Sequence, residues 1–480
     1  MIRNLLSLIG IVFSLATFAQ SMTEQANRAV FNRIEFFINT QTTDSIYSLA
    51  SDNFKSQIPA EQLAFVLNNV YQLGKIKNVE VVDFRENTAT YRLQFAQHAV
   101  QAKFALGDDY HYDLLSFGPA ADKIEPKADK TEVLSNVEKV SPLDFFIDSV
   151  ANTYIKKRNT QSLAIGIFHQ NQYKTFSYGE TENGNETLPT ENTIYEIGSI
   201  TKVFTAVLLA DLVEKKLVQL DDSIIKFLPD SLQRNPSLQG ITFKSLANHT
   251  SGLPRLPDNA DADAGFSTKD PYALYDRKAL FAFLKGFKAN RPPGEIYEYS
   301  NLGFGLLGEL LSIVTKKTYI QLLQETILTP LQMVNTTDKA DPKKEQILSK
   351  VYDDQGEETL PWNFKAMVGA GGLKSNVKDL IRFAVEQFKM PQEELQYAMA
   401  LTRQFTFFTP ENMDIGLAWH MSMLDGLIYF HHTGGTGGSS SFIGLSPDTK
   451  TAVVVLSNAA SSVNAVSMTI MEKLLEQKNE

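Results

Sequence analysis

The chain of 480 residues contains no cysteine. That absence excludes disulfides, zinc–thiolate sites, iron–sulfur clusters and a cysteine nucleophile, and with them the lipid-bearing cysteine of a bacterial lipoprotein. An excess of positive charge is missing too. There are 45 Lys and Arg against 55 Asp and Glu, a net charge of −10, whereas a nucleic-acid binder needs a basic face. Beyond the N-terminal segment no apolar run is long enough to cross a bilayer, which takes about 20 residues. Internal repeats and low-complexity tracts are absent as well. What is present is a globular composition, 43% hydrophobic and 21% charged, over a length that calls for two or three domains.

Residues 1–19 (MIRNLLSLIGIVFSLATFA) place Arg3 ahead of an apolar run from Leu5 to Phe18, with the small residues Thr17 and Ala19 where a signal peptidase would look. The pattern predicts a cleaved signal peptide with Gln20 as the new terminus, and a periplasmic or secreted protein. An N-terminal anchor or a buried first helix is the plainer alternative. From Ser21 to about Leu73 apolar residues recur at helical spacing, as in Val30, Ile34 and Phe37 and again from Ala60 to Leu73. The period then changes to two: Val79–Phe84, Tyr91/Leu93/Phe95 and Val100/Ala102/Phe104 read as an antiparallel meander. Residues 20–118 are therefore expected to form a small α+β accessory domain, and the charged, proline-containing residues 119–141 a linker.

A second domain is expected over 142–480. It opens with the helical stretch LDFFIDSVANTYIKK, followed by strand-like runs at 162–169 and 173–179. Its middle is mostly helical. Strand-like runs return around GLAWHM, LIYFHH, SFIGLSP and TAVVVLSN, and a last helix runs from about Ser462 to Gln477. Strands at both sequence ends with helices between them predict an α+β fold, one antiparallel sheet flanked by helices plus an all-helical region.

The segment YEIGSITK (195–202) contains Ser199 and, three residues on, Lys202. Ser-x-x-Lys alone is a weak signal, because Ser223–Lys226 and Ser375–Lys378 repeat it. Ser199 stands apart by context. It follows Gly198 and opens SITKVFTAVLLADLV, where Lys202 is one turn on and on the same face. That helix is apolar almost all round, so Lys202 is expected to be desolvated, with a lowered pKa that suits a base. A serine hydroxyl needs such a neighbour to become a nucleophile. The bland reading is a helix cap followed by a lysine that snorkels to solvent. Ser223 reads as structural, in a short polar-rimmed segment, and Ser375 as a helix cap.

A hundred residues on, Tyr299-Ser-Asn301 follows Pro292, Pro293 and Gly294 in a loop just ahead of a helix. Alone it could be a helix cap beside a core tyrosine. His432-Thr433-Gly434-Gly435 lies between two strand-like runs, where glycines mark a close approach to the backbone or a flexible turn.

In this order the three motifs resemble the signatures of the serine β-lactamase and penicillin-binding-protein superfamily, and most closely its class C-type branch. LANHTSGLP (246–254), PGEIYEYSN (293–301), VGAGGLKSNVKDLIRF (368–383) and GLAW (416–419) support the likeness, which covers about residues 142–480. The resemblance implies a β-lactamase/transpeptidase-like fold and an acyl-enzyme serine hydrolase. Its acyl donor would be a β-lactam, a D-amino-acid peptide, cell-wall-derived ones included, or a small ester. By position, Ser199 would be the nucleophile, and Lys202 and Tyr299 would share proton transfer. Asn301 would orient the lysine and hold the substrate amide. The backbone N–H groups of Ser199 and Gly435 would form the oxyanion hole, with His432, Thr433 and Gly434 along the strand beside the substrate. No cofactor or metal is implied. The seven histidines show no His-x-x-x-His, and His431 and His432 are expected to point to opposite faces of a strand. His432 stands where class C β-lactamases carry lysine. A mostly neutral imidazole implies weaker recognition of a substrate carboxylate. The non-enzyme alternative is a penicillin-binding sensor or scaffold that acylates without turnover. No Gly-x-Ser-x-Gly is present, which sets aside an α/β-hydrolase.

Overall fold

The computed structural model describes residues 26–85, 88–96, 98–107, 110–120, 129–339, 347–409 and 414–476. The expected signal peptide lies outside them. The chain divides into two compact units, Met1–Lys127 and Ala128–Glu480.

In the first unit a helix over 26–40 is followed by the helices Thr43–Ser48, Asp52–Gln57 and Ala60–Tyr71. A four-stranded antiparallel meander comes next: Asn78–Arg85, Thr88–Gln94, Ala99–Leu106 and Tyr112–Pro119. Phe31 and Ile34 of the first helix and Leu63 and Leu67 of the fourth bury against Tyr91, Leu93 and Phe104 of the sheet. The last strand has no counterpart in the sequence reading. Only Tyr112 and Leu115 of its residues are buried, so it lacks a period of two.

The second unit is built on an eight-stranded, wholly antiparallel sheet. Its order is Gln172–Gly179, Ser162–His169, Thr451–Ser457, Ser440–Ser446, Leu427–Gly435, His420–Leu424, Asp414–Ile415 and Phe407–Phe408. Strands from both ends of the domain thus pair at its centre, where Val454 faces Gly166. Helices cover both faces. Val453 and Val455 pack with Ile147 and Tyr154 of helix Pro142–Ile155 and with Ile470 and Leu474 of helix Asn464–Glu476. The alternate residues Ala452, Val454 and Leu456 pack with Val377 and Phe383 of helix Val377–Glu386 and with the helical region beyond. Burial on two faces explains why these strands read as continuous apolar runs. A Cβ on Gly166 would lie 2.2 Å from Val377 Cγ1, so glycine there lets the helix close onto the sheet. Residues 129–141, expected as linker, run along this unit: Lys130 N–H donates to Lys156 O at 2.7 Å and Gly179 N–H to Leu134 O at 2.8 Å.

Helix Thr201–Glu214 crosses the middle of this unit, with every residue from Thr201 to Leu212 buried. Each large apolar side chain so placed contributes about 1.5–3 kcal/mol. That packing holds Lys202 in place, since a lysine alone would leave for water.

Candidate active site

Ser199 sits on a tight turn, Gly198–Ile200, that leads into helix Thr201–Glu214. The turn is clamped from two sides. Ile197 N–H donates to Leu373 O at 3.1 Å, and Ser441 Oγ on the central sheet donates to Ile197 O at 2.8 Å. Gly198 has φ +47°, and a Cβ there would lie 2.6 Å from the Gly435 backbone nitrogen. Only glycine permits this approach. The strand carrying His432–Gly435 therefore runs directly beside Ser199. Its neighbour His420–Leu424 stops at the His420–His431 pair, so that strand does not pair with His432–Gly435.

Lys202 is completely buried. Its Nζ lies 3.0 Å from Ser199 Oγ, 2.8 Å from Asn301 Oδ1 and 2.6 Å from the Ala370 carbonyl oxygen. Burial, helped by the charge of Arg255, pushes its pKa well below lysine's ordinary value. Tyr299 hydrogen-bonds to Ser199, and burial pushes its phenol up, so it stays protonated. Asn301 opens helix Asn301–Thr315, capped by Ser300 rather than by itself. Its Nδ2 reaches Tyr272 Oη at 3.5 Å. Tyr272 stacks on Phe364 (centroids 4.7 Å, 13°) and meets Trp362 edge-on, an aromatic wall beside the serine.

All eight expected site residues thus converge. The rival Ser-x-x-Lys copies do not resemble this arrangement. Lys226 bonds Asp222 while Ser223 bonds Gln239 O. Lys378 bonds Glu191 and Ser375 bonds Thr336. Ser375 is not the helix cap it resembled: Asn376 caps helix Val377–Glu386, its side chain accepting from Asp379 N–H, and Ser375 belongs to a two-residue strand.

His432 is buried, and its Nδ1 lies 2.7 Å from Thr433 O. Burial and the nearby His420 and Lys202 hold its pKa well below the imidazole norm. His431 and His432 point to opposite faces of their strand, as expected. His431 packs with Tyr429 and Phe442, and His432 lies toward Tyr299, ring centroids 6.4 Å apart, with His420 at 5.7 and 5.3 Å from the two rings. Among the described residues no group of three His, Asp or Glu is placed to hold a metal ion.

Several contributing residues carry no motif of their own. His249 stacks on the Tyr299 ring at 4.3 Å and accepts Ser300 N–H on Nδ1. Buried Glu196 accepts from Trp362 N–H and Thr436 Oγ1, both at 2.7 Å, and pairs with buried Lys374 at 3.5 Å. Arg255 lies over Tyr299, its guanidinium 5.1 Å from the ring centroid. The stretches LANHTSGLP and VGAGGLKSNVKDLIRF held the signal for His249, Ala370 and Lys374. Glu196 stood inside YEIGSITK without being singled out, and Arg255, one place past LANHTSGLP, had no signal.

A family model described as Beta-lactamase matches residues 147–475. The chain belongs to the β-lactamase family. As a family member it is a serine hydrolase, and among its relatives is the D-alanyl-D-alanine-carboxypeptidase/endopeptidase AmpH of Escherichia coli (strain K12). That protein is 29% identical over 317 residues, covering 63% of this chain and 80% of the relative. A β-lactamase of Pseudomonas fluorescens is 24% identical over 350 residues, covering 65% and 92%. The fold matches a crystal structure of β-lactamase/D-alanine carboxypeptidase from Pseudomonas syringae with TM-score 0.62 at 21% identity, over 70% of this chain and 99% of that one.

Proposed function

We propose that this family member is an exported hydrolase that works through an acyl-enzyme on Ser199, with an amide or ester as acyl donor. The carrying observation is the environment of Lys202 Nζ. Asn301 Oδ1 and Ala370 O can only accept hydrogen bonds, so a neutral amine gives them its two N–H groups. Its lone pair is then left for the Ser199 hydroxyl, 3.0 Å away, which is the geometry of a general base.

In acylation the Ser199 proton passes to Lys202 Nζ as Oγ bonds to the acyl carbon. The carbonyl oxygen becomes an anion between the N–H groups of Ser199 and Gly435. Collapse of that adduct breaks the bond to the leaving group, which takes the Tyr299 phenolic proton while the Lys202 ammonium reprotonates Tyr299. A water then enters by the reverse relay and releases the acid. Tyr299, with its pKa raised, serves as donor and shuttle, and Lys202 as the resting base. Asn301 holds Lys202 and faces the substrate amide, and Thr433 and Gly434 line the strand beside it.

Residues 20–118 would be an accessory domain and 142–480 the catalytic domain, with 119–141 between them and its part from residue 129 laid along the second unit. The leader pattern of residues 1–19 supports export, and among the described residues no helix is long and apolar enough to cross a membrane. The likeness to AmpH and to β-lactamases supports D-amino-acid peptides and β-lactams as candidate acyl donors, with small esters beside them. The test is hydrolysis of nitrocefin, short p-nitrophenyl esters and D-alanyl peptides by wild type and Ser199→Ala. Turnover of at least one class that vanishes in the variant is expected. Equal turnover by the two proteins refutes the assignment, and acylation without turnover would make the protein a sensor.

A further inference from the structure

The neutral, buried His432 leaves the third motif without a cation, yet the site is not without one. Lys202 is committed to three hydrogen bonds. Lys374 is buried against Glu196, and Arg291 is held 2.6 Å from Glu298. Arg255 is different. Its side chain is exposed, and among the described residues its guanidinium makes no hydrogen bond and no ion pair. Its backbone is nevertheless fixed at the reacting centre, because Arg255 O accepts the N–H groups of Asn301 at 3.1 Å and Leu302 at 3.2 Å. The guanidinium lies over the Tyr299 ring, 5.1 Å from its centroid, the phenol of that residue hydrogen-bonds to Ser199, and Lys202 Nζ is 4.8 Å from the same ring.

We infer that Arg255 is the anion-reading residue of this site, docking a carboxylate on the acyl donor from the loop after LANHTSGLP. The inference rests on Ser199 being the nucleophile. A planar guanidinium takes a carboxylate through two parallel hydrogen bonds. One held against an aromatic face loses little freedom on doing so. Since Arg255 is already at the surface, docking an anion does not require desolvating a buried cation. The preferred substrates are therefore esters or amides with a carboxylate near the scissile bond. This reverses the expectation that replacing the third-motif lysine weakens carboxylate recognition: the charge has moved to another loop.

The test uses two phenylacetyl esters that differ only in the leaving group, 3-hydroxybenzoate and its neutral methyl ester. In wild type, kcat/KM should favour the carboxylate ester by about ten-fold, the value of one charge-assisted contact. In Arg255→Gln the ratio should fall to about one, and in Arg255→Lys it should lie between. A wild-type ratio near one overturns the inference. So does a ratio that survives Arg255→Gln, even if both rate constants drop, because Arg255 would then only be supporting Tyr299. If intact mass shows that neither ester acylates Ser199, the nucleophile assignment fails first and the inference falls with it.

Discussion

Lys202 and Tyr299 are driven in opposite directions by the same burial, one toward the free amine and the other toward the protonated phenol. That split fits the proposed roles, in which each group is kept in the form its task requires. The acid limb of kcat/KM should therefore rise with pH and reach its plateau below lysine's ordinary pKa of about 10.4. A limb centred near 10.4 would mean an unperturbed base. Replacing Lys202 by Met should cost about 10²–10⁴ in kcat/KM, the range of general-base catalysis, and a loss under ten-fold would exclude it from that role. Ser199 and Lys202 were legible in the sequence because they share one helical turn. Ala370 stood in a stretch that carried the family likeness, but its contact was not legible: it lies 168 residues from Lys202 in the chain, and only the packed fold brings its carbonyl to the amine.

Between elements, the site is held by glycine and by one buried carboxylate. Gly198 lets its turn touch the strand at Gly435. An alanine there, at φ +47° and with its Cβ 2.6 Å from a backbone nitrogen, should part the two N–H groups. Steady-state kinetics should then show kcat falling by about 10²-fold, the scale of a lost oxyanion donor, with KM little changed. An unchanged kcat would remove Gly435 from the hole. Glu196 ties together the loop at Trp362, the loop at Thr436 and Lys374. Glu196→Ala strands a buried ammonium and should lower unfolding stability by about 3–5 kcal/mol in urea titrations; a loss below about 1 kcal/mol would contradict this. The long apolar strands and helices were readable from their periods. The Tyr112–Pro119 strand and the Ser375 segment were misread because one buries too few residues to show a period and the other sits one place from the true cap.

For the whole molecule, the cluster of His420, His431 and His432 couples the fold to pH. Burial holds His420 down at about 4 and His431 at about 3. The unfolded chain takes up protons below about 6.5 while the folded cluster does not, so stability is full above that pH and is lost as pH falls. His420 alone accounts for roughly 2 kcal/mol at pH 5. Urea midpoints should drop from pH 7.5 to 5, and His420→Gln should flatten the drop; identical slopes would exclude the cluster. A chain with no cysteine draws its stability from such burial, in a domain large enough to need no disulfide. With no thiol in the chain, the proposed nucleophile is an oxygen with a base beside it. The central claim is tested most directly by intact-mass analysis after exposure to a fluorophosphonate ester. Wild type should gain one phosphonyl group, and Ser199→Ala should gain none. A wild type that stays unmodified, or equal labelling of the variant, would contradict the account.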